Sequence, residues 1–165
     1  MSASSPPPRD SVADRELVFT RVFDAPRALV WQAWADPARV AEWWGPLGFT
    51  TTTREHRLAP GGSWRFTMHG PDGRDYPNRV VYREVEPLRR LVYAHDDDGG
   101  QAEPIAFEVT VTFEDEGVGT RLTMRMLFPS AAALRRVAEE YGAIEGAHQT
   151  LARLAEHLKS AGAVR

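Results

Sequence analysis

The chain has 165 residues, a net charge of −3, no cysteine and a single lysine, Lys159. This length fits one domain with a tail, and such a domain buries about 68 to 70% of its unfolded surface, which is enough for a hydrophobic core. Without cysteine there is no disulfide framework and no thiolate metal site, which suits a cytoplasmic protein. The arginines form no basic stripe, so nucleic-acid binding is not expected. No apolar run approaches the ~20 residues that cross a bilayer, so we expect no membrane partner either.

Residues 1–14 are rich in serine and proline and show neither helical periodicity nor a basic start followed by an apolar run. We therefore predict a disordered tail rather than a signal peptide or a membrane anchor. Residues 15–160 are predicted to form a single domain.

The first elements of this domain concentrate bulky apolar side chains. The pattern predicts a strand over 17–23, a helix opened by Pro26, and a second short helix starting at Asp36-Pro37. Four of the five tryptophans fall between Trp31 and Trp44. Such a concentration of aromatic area predicts a helical hairpin that packs on a sheet as a cavity wall or a plug.

Alternating apolar residues predict six further strands over 49–58, 63–69, 76–85, 90–96, 105–113 and 120–128, joined mostly by short turns. A run of helix formers from Ala131 to about Lys159 predicts a long C-terminal helix that begins after Pro129-Ser130 and can bend at Gly142 and Gly146. The helix has one apolar stripe and the sheet one apolar face. We therefore predict an α+β fold, in which a curved antiparallel sheet of about seven strands surrounds the C-terminal helix.

Several short motifs, in the right order over about 140 residues, make the chain resemble the SRPBCC or START-like superfamily. Within it the chain is similar to bacterial proteins grouped with the activator of the 90-kDa heat-shock protein's ATPase. The matching motifs are Arg21-Val22-Phe23-Asp24-Ala25-Pro26 with Val30-Trp31, Asp36-Pro37, Trp43-Trp44-Gly45-Pro46, Pro60-Gly61-Gly62, Arg90-Leu91-Val92-Tyr93, Gly119-Thr120-Arg121-Leu122, and Gly146 followed by Leu151 and Leu154.

The resemblance implies a helix-grip fold whose cavity, between the sheet and the long helix, usually holds an apolar small molecule. Members include lipid and hormone carriers, polyketide cyclases and aromatases. Many relatives carry a tryptophan directly after the helix glycine, where this chain has Ala147, so we expect more room at that end. The eukaryotic co-chaperone has a separate N-terminal region of a length not found here, which argues against a chaperone partner.

The apolar side chains that alternation directs under the helix either fill that space or line it. Periodicity alone favours a filled core, whereas the resemblance favours a cavity. The residues expected to form the wall are Trp43, Trp44, Trp64, Phe66, Met68, Phe107, Val109, Met124, Met126 and Phe128. The polar side chains expected to contact a ligand are Tyr76, Tyr141 and His148.

Two polar residues are candidates for proton transfer on a bound molecule. A histidine or a desolvated glutamate can act as a general acid or base, which makes His148 and Glu140 the catalytic candidates. Each also has a structural explanation, as an edge histidine and as a solvated glutamate. His95 is a further polar candidate for contact with a ligand, but it precedes Asp96-Asp97-Asp98, so a solvated position at a hairpin tip is favoured over a catalytic one.

The sequence shows no spacing typical of a metal or cofactor site. The five histidines are scattered, and there is no phosphate loop, dinucleotide fingerprint or nucleophile elbow. We therefore predict neither a metal nor a cofactor.

Three hypotheses follow for the function. The first is non-covalent binding of an apolar or aromatic small molecule in the cavity between the sheet and the C-terminal helix. The second is a cyclase or aromatase in which His148 or Glu140 moves a proton. The third is a chaperone cofactor that uses an exposed patch. A homodimer is compatible with all three.

Overall fold

The computed structural model describes residues 11–96, 106–140 and 142–163, with side chains up to residue 160. A 3-10 helix at Val12–Arg15 precedes the other elements. These are the strand β1 (Glu16–Phe23), the helices α1 (Arg27–Ala35) and α2 (Pro37–Trp43), the strands β2 (Thr50–His56), β3 (Ser63–His69), β4 (Asp75–Glu86), β5 (Arg90–Asp96), β6 (Phe107–Glu116) and β7 (Gly119–Leu127), and the helices α3 (Ala131–Glu140) and α4 (Ala143–Ala163).

All seven strands form one antiparallel sheet in the order β1-β7-β6-β5-β4-β3-β2. Its pairing register shifts between Thr53 and Glu55 in β2 and between Tyr82 and Glu84 in β4. Such bulges bend a strand and increase its twist. The predicted α+β helix-grip fold is confirmed, and each predicted strand is present within a few residues. The predicted start of the sixth strand at Ile105 lies outside the described residues.

The sheet buries one face, which we call the inner face, against α1, α2 and α4. Alternation places apolar side chains there on successive strands. Large side chains of this face that are almost fully buried include Trp64, Phe66, Leu91, Val109, Val111 and Leu122. Opposite them α4 contributes the buried leucines Leu151, Leu154 and Leu158, which share one side of the helix.

The predicted C-terminal helix is two helices. α3 ends at Glu140 and α4 begins at Ala143, because Gly142 has φ +60°. This left-handed conformation costs little for glycine and ends a helix. The predicted long C-terminal helix is present as α4, and the run of helix formers that starts at Ala131 breaks, rather than bends, at Gly142. The predicted start is confirmed, since Ser130 Oγ accepts a hydrogen bond from the Ala133 backbone N–H over 3.0 Å.

The end of the predicted tail is structured. The hydroxyl of Ser11 accepts a hydrogen bond from the Asp14 N–H, and the Asp14 carboxylate accepts one from the Ser11 N–H in return. This capping box stabilises the 3-10 helix at Val12–Arg15, which overlaps the end of the predicted tail. Residues 1–10 of the predicted tail lie outside the described residues. None of the described helices combines the length and apolar character needed to span a bilayer.

The side chain of Arg153 joins α4 to the turn that follows α2. Its Nη1 donates to the carbonyl oxygens of Trp44, Gly45 and Pro46 at 2.9 to 3.2 Å, and its Nη2 donates to the carbonyl of Glu42. Carbonyl groups at a helix C-terminus lack partners within the helix, and a cation there also opposes the negative end of the helix dipole. One guanidinium therefore fixes the position of this turn relative to α4.

We predict that Arg153→Ala lowers the free energy of unfolding by about 2 to 4 kcal/mol, because several carbonyl groups lose a charged donor together. Arg135→Ala is the control, since Arg135 is an exposed residue on α3 and should change stability by less than about 0.5 kcal/mol. Urea denaturation of the two variants measures the difference. Equal stabilities would show that the guanidinium contacts contribute nothing.

Candidate functional site

A cavity of about 200 Å³ lies between the inner face of the sheet and the N-terminal half of α4. Side chains from α1, the turn after α2, four strands and α4 contribute to its wall. The lining residues are Trp34, Trp44, Gly45, Pro46, Met68, Tyr93, His95, Phe107, Val109, Met124, Met126, Ala143, Gly146, Ala147, Thr150 and Leu151.

The cavity exists where α4 presents small side chains to the sheet. Gly146 and Ala147 each lie three or four residues from both Ala143 and Thr150, so the four residues share one side of the helix. One turn further on, this side carries the larger Leu151 and Leu154. The space between helix and sheet is therefore open over the first two turns of α4 and filled after them.

The wall on the sheet side is aromatic and sulfur-rich. Met68, Phe107 and Met126 are only partly buried although they point inward, because their free surface faces the cavity. Methionine side chains adapt to the shape of a bound molecule. Of the predicted wall residues, the structure places Trp44, Met68, Phe107, Val109, Met124 and Met126 on the lining.

The remaining predicted wall residues fill space elsewhere. Trp64 stacks on Phe66 with ring centroids 4.0 Å apart, and both contact Trp44. The indole N–H of Trp43 donates to the Ala33 carbonyl over 3.0 Å, so this ring packs within the helical hairpin. Phe128 is buried beside Phe107. These four side chains, Trp43, Trp64, Phe66 and Phe128, pack around the cavity and do not belong to its lining.

A rigid turn holds Trp44 at the cavity. Gly45 has φ +101°, a conformation that residues with a side chain rarely adopt, and an added Cβ would lie 3.3 Å from Phe49 Cβ and 3.5 Å from Met68 Sδ. The Trp44 carbonyl accepts hydrogen bonds from Thr51 Oγ1 and from Arg153 Nη1. The backbone on both sides of the Trp44 ring is thus fixed before a ligand arrives.

The predicted polar contacts lie away from the cavity. His148 is exposed on α4, and its ring meets the edge of Phe19 at 5.2 Å. Glu140 is exposed at the end of α3 and pairs with Arg136 over 3.2 Å. Tyr76 is half-buried beside Phe49 and is not part of the lining. Neither catalytic candidate therefore reaches the cavity, because α3 and α4 turn both side chains outward. Tyr141 lies outside the described residues.

The histidine on the cavity wall is His95. The prediction of a solvated side chain is wrong, because His95 is the last inward-facing residue described on β5, after Leu91 and Tyr93. Its Nε2 lies 2.9 Å from Asn78 Oδ1, and its ring packs 5.0 Å from that of Phe107. Burial lowers the pKa of His95 from 6.5 to about 4, against a smaller opposing effect of Asp96. Alternation along β5 was the signal that could have identified it.

Two further polar groups reach the cavity. Tyr93 is buried, burial raises the pKa of its hydroxyl, and none of the described residues forms a hydrogen bond with that hydroxyl. Thr150 Oγ1 donates to the Gly146 carbonyl over 2.8 Å, which leaves its oxygen as an acceptor. No aspartate, glutamate, lysine or arginine is among the lining residues that the structure describes. The cavity is therefore apolar, uncharged and supplied with a few hydrogen-bonding groups.

A threonine, histidine and aspartate also line up on the outer face of the sheet. Thr52 Oγ1 lies 2.8 Å from His69 Nε2, and His69 Nδ1 lies 2.7 Å from Asp75 Oδ1. The Asp75 side chain is 62% exposed, and Thr52 is also exposed. Solvent around these groups provides no water-excluded site for charge stabilisation, so we interpret the row as a cross-strand contact. Over the described ranges, no three histidine or acidic side chains cluster as metal ligands.

Comparison with protein families supports the resemblance seen in the motifs. The family model described as "Activator of Hsp90 ATPase homolog 1-like protein" matches residues 24–159. The chain belongs to this family. A comparison with functionally curated proteins finds no match.

Solved structures of bacterial proteins share the fold of this family member. Protein Ms6760 from Mycobacterium smegmatis is 29% identical with a TM-score of 0.82, and the match covers 93% of this chain and 96% of that one. Protein NE0264 from Nitrosomonas europaea is 27% identical with a TM-score of 0.80, covering 92% and 98%. A protein from Arthrobacter aurescens is 25% identical with a TM-score of 0.83, covering 92% and 90%. The match extends over nearly the whole of each chain.

The lowered pKa of His95 predicts a pH-dependent stability. The unfolded chain binds a proton at a pKa of about 6.5 and the folded chain at about 4, so stability falls as the pH falls from 6.5 towards 4. One such group contributes a slope of at most about 1.4 kcal/mol per pH unit. His95→Gln should lower that slope when urea denaturation is measured at pH 5, 6 and 7. The same slope in both proteins would contradict a buried neutral His95.

Proposed function

We propose that this protein binds a small neutral apolar or aromatic molecule in the cavity under α4, without covalent chemistry. The observation that carries the proposal is an uncharged hollow of about 200 Å³ between aromatic and methionine side chains and the small residues of α4. Protein interiors are close-packed and contain few spaces much larger than a water molecule. Membership of a helix-grip family gives independent support.

The size of the hollow limits the ligand. An engineered apolar cavity of about 150 Å³ in another protein holds benzene, so a volume of about 200 Å³ suits a molecule of roughly eight to twelve non-hydrogen atoms. The described lining contains no charged side chain that could pair with an anionic or a cationic ligand. Burying an unpaired charge costs free energy, so a neutral ligand is favoured. A neutral molecule with one or two rings fits both limits.

The geometry gives less support to a cyclase or aromatase. The two residues proposed for proton transfer, His148 and Glu140, are exposed and outside the lining. Chaperone ATPase activation stays a hypothesis from the family description, because no contact within the described residues bears on it.

We predict that Ala147→Trp weakens the binding of a neutral aromatic probe at least ten-fold while the protein stays folded. Ala147 lines the cavity, so the indole ring would occupy the space of the ligand. 2-Methylnaphthalene, titrated by isothermal calorimetry, is a suitable probe, and circular dichroism reports the fold.

Ile144→Trp is the matched control, because Ile144 is an exposed residue of α4 and is not part of the lining. The control should bind the probe as the wild type does. Equal binding by the wild type and Ala147→Trp would contradict the placement of the ligand under α4.

A further inference from the structure

The hydrogen bonds around His95 fix which of its ring nitrogens carries the proton. Asn78 lies on β4 next to His95 and donates through Nδ2 to the Tyr76 carbonyl oxygen over 2.8 Å. A carbonyl oxygen can only accept, so this contact assigns the orientation of the Asn78 amide. Its Oδ1 then faces His95 Nε2 at 2.9 Å.

Because Asn78 Oδ1 is an acceptor, His95 Nε2 must be the donor in this contact. Burial keeps the ring neutral near pH 7, so only one nitrogen carries a proton. The neutral form is thus the Nε2–H tautomer, and Nδ1 has a free lone pair. The hydrogen bond that one ring nitrogen makes sets the tautomer of a histidine, and for His95 that bond is the one to Asn78.

Nothing in the described part of the chain uses that lone pair. His95 has one hydrogen bond, through Nε2, and Nδ1 is not among the buried polar atoms sealed from solvent without a partner. The accessible space next to His95 is the cavity. The centroid of the His95 ring lies 6.3 Å from that of Trp44 and 5.0 Å from that of Phe107. A hydrogen-bond acceptor therefore stands beside flat aromatic surfaces.

We infer that His95 Nδ1 accepts a hydrogen bond from the ligand, and that the cavity selects neutral aromatic molecules with a hydroxyl or N–H donor, such as phenols. This inference rests on the proposed function and names its ligand class. A carboxylate or phenolate would place a negative charge against the lone pair, and a molecule without a donor would leave Nδ1 buried and unpaired, which costs free energy. Tyr93, on the same face of β5, can donate to the oxygen of the same ligand.

Two probes of nearly equal size separate this hydrogen bond from simple cavity filling. 2-Naphthol and 2-methylnaphthalene have the same ring system, but only 2-naphthol carries a donor. Calorimetric titration gives the dissociation constants of both with the wild type and with His95→Phe, which keeps an aromatic ring of similar size. We expect the preference for 2-naphthol, expressed as the ratio of the two constants, to fall about ten-fold in His95→Phe.

His69→Phe is the matched control, since His69 lies on the outer face of the sheet. It should leave the ratio unchanged. If both probes bind but the ratio is the same in the wild type and in His95→Phe, the inference on His95 is wrong and the proposed function stands. If neither probe binds the wild type, both are wrong for molecules of this size.

Nitrogen-15 NMR of the histidine-labelled wild type tests the same point without a substitution, should His95→Phe fail to fold. The resonances distinguish a protonated from an unprotonated ring nitrogen. We expect an unprotonated Nδ1 at His95 whose resonance moves more with 2-naphthol than with 2-methylnaphthalene. A proton on Nδ1, or no shift at saturating 2-naphthol, would overturn the inference.

Discussion

The site depends on one packing mismatch between α4 and the sheet. Over its first two turns α4 turns the small residues Ala143, Gly146, Ala147 and Thr150 towards the sheet. A protein core packs at the density of an organic crystal, so missing side-chain volume on one layer either collapses or stays as a cavity. Here the space stays as a cavity. The buried side chains of Leu151, Leu154 and Leu158 fill the gap between the later turns of α4 and the sheet, and so keep the helix from moving closer.

The wall opposite this helix face is fixed from outside the cavity. Arg153 binds the carbonyl groups of the turn after α2, and Gly45 lets that turn approach Met68 and Phe49 closely. Trp44 is consequently held in place at one side, while Asn78 orients His95 on another. A binding site whose groups are oriented in advance loses less conformational entropy when a ligand binds. Shape and one polar acceptor then provide selectivity.

The sequence was sufficient to predict the strands, the order of the elements and the fold, because alternation and helical periodicity are local properties. It was insufficient to distinguish residues that line the cavity from residues that fill the core. Trp64 and Met68 share one face of β3, yet only Met68 lines the cavity, because the Trp64 ring is covered by the rings of Trp44 and His56. His95 was misread because the acidic run after it suggested a solvated tip. The break at Gly142 needed a backbone angle, which composition does not specify.

Crystallography under xenon pressure tests the cavity under α4 most directly. Xenon enters preformed apolar cavities and is visible as strong electron density. We expect a xenon site between Ala147 and the methionines Met68 and Met126. Side chains in solid contact throughout this region, with no xenon density there, would contradict a cavity and every conclusion drawn from it.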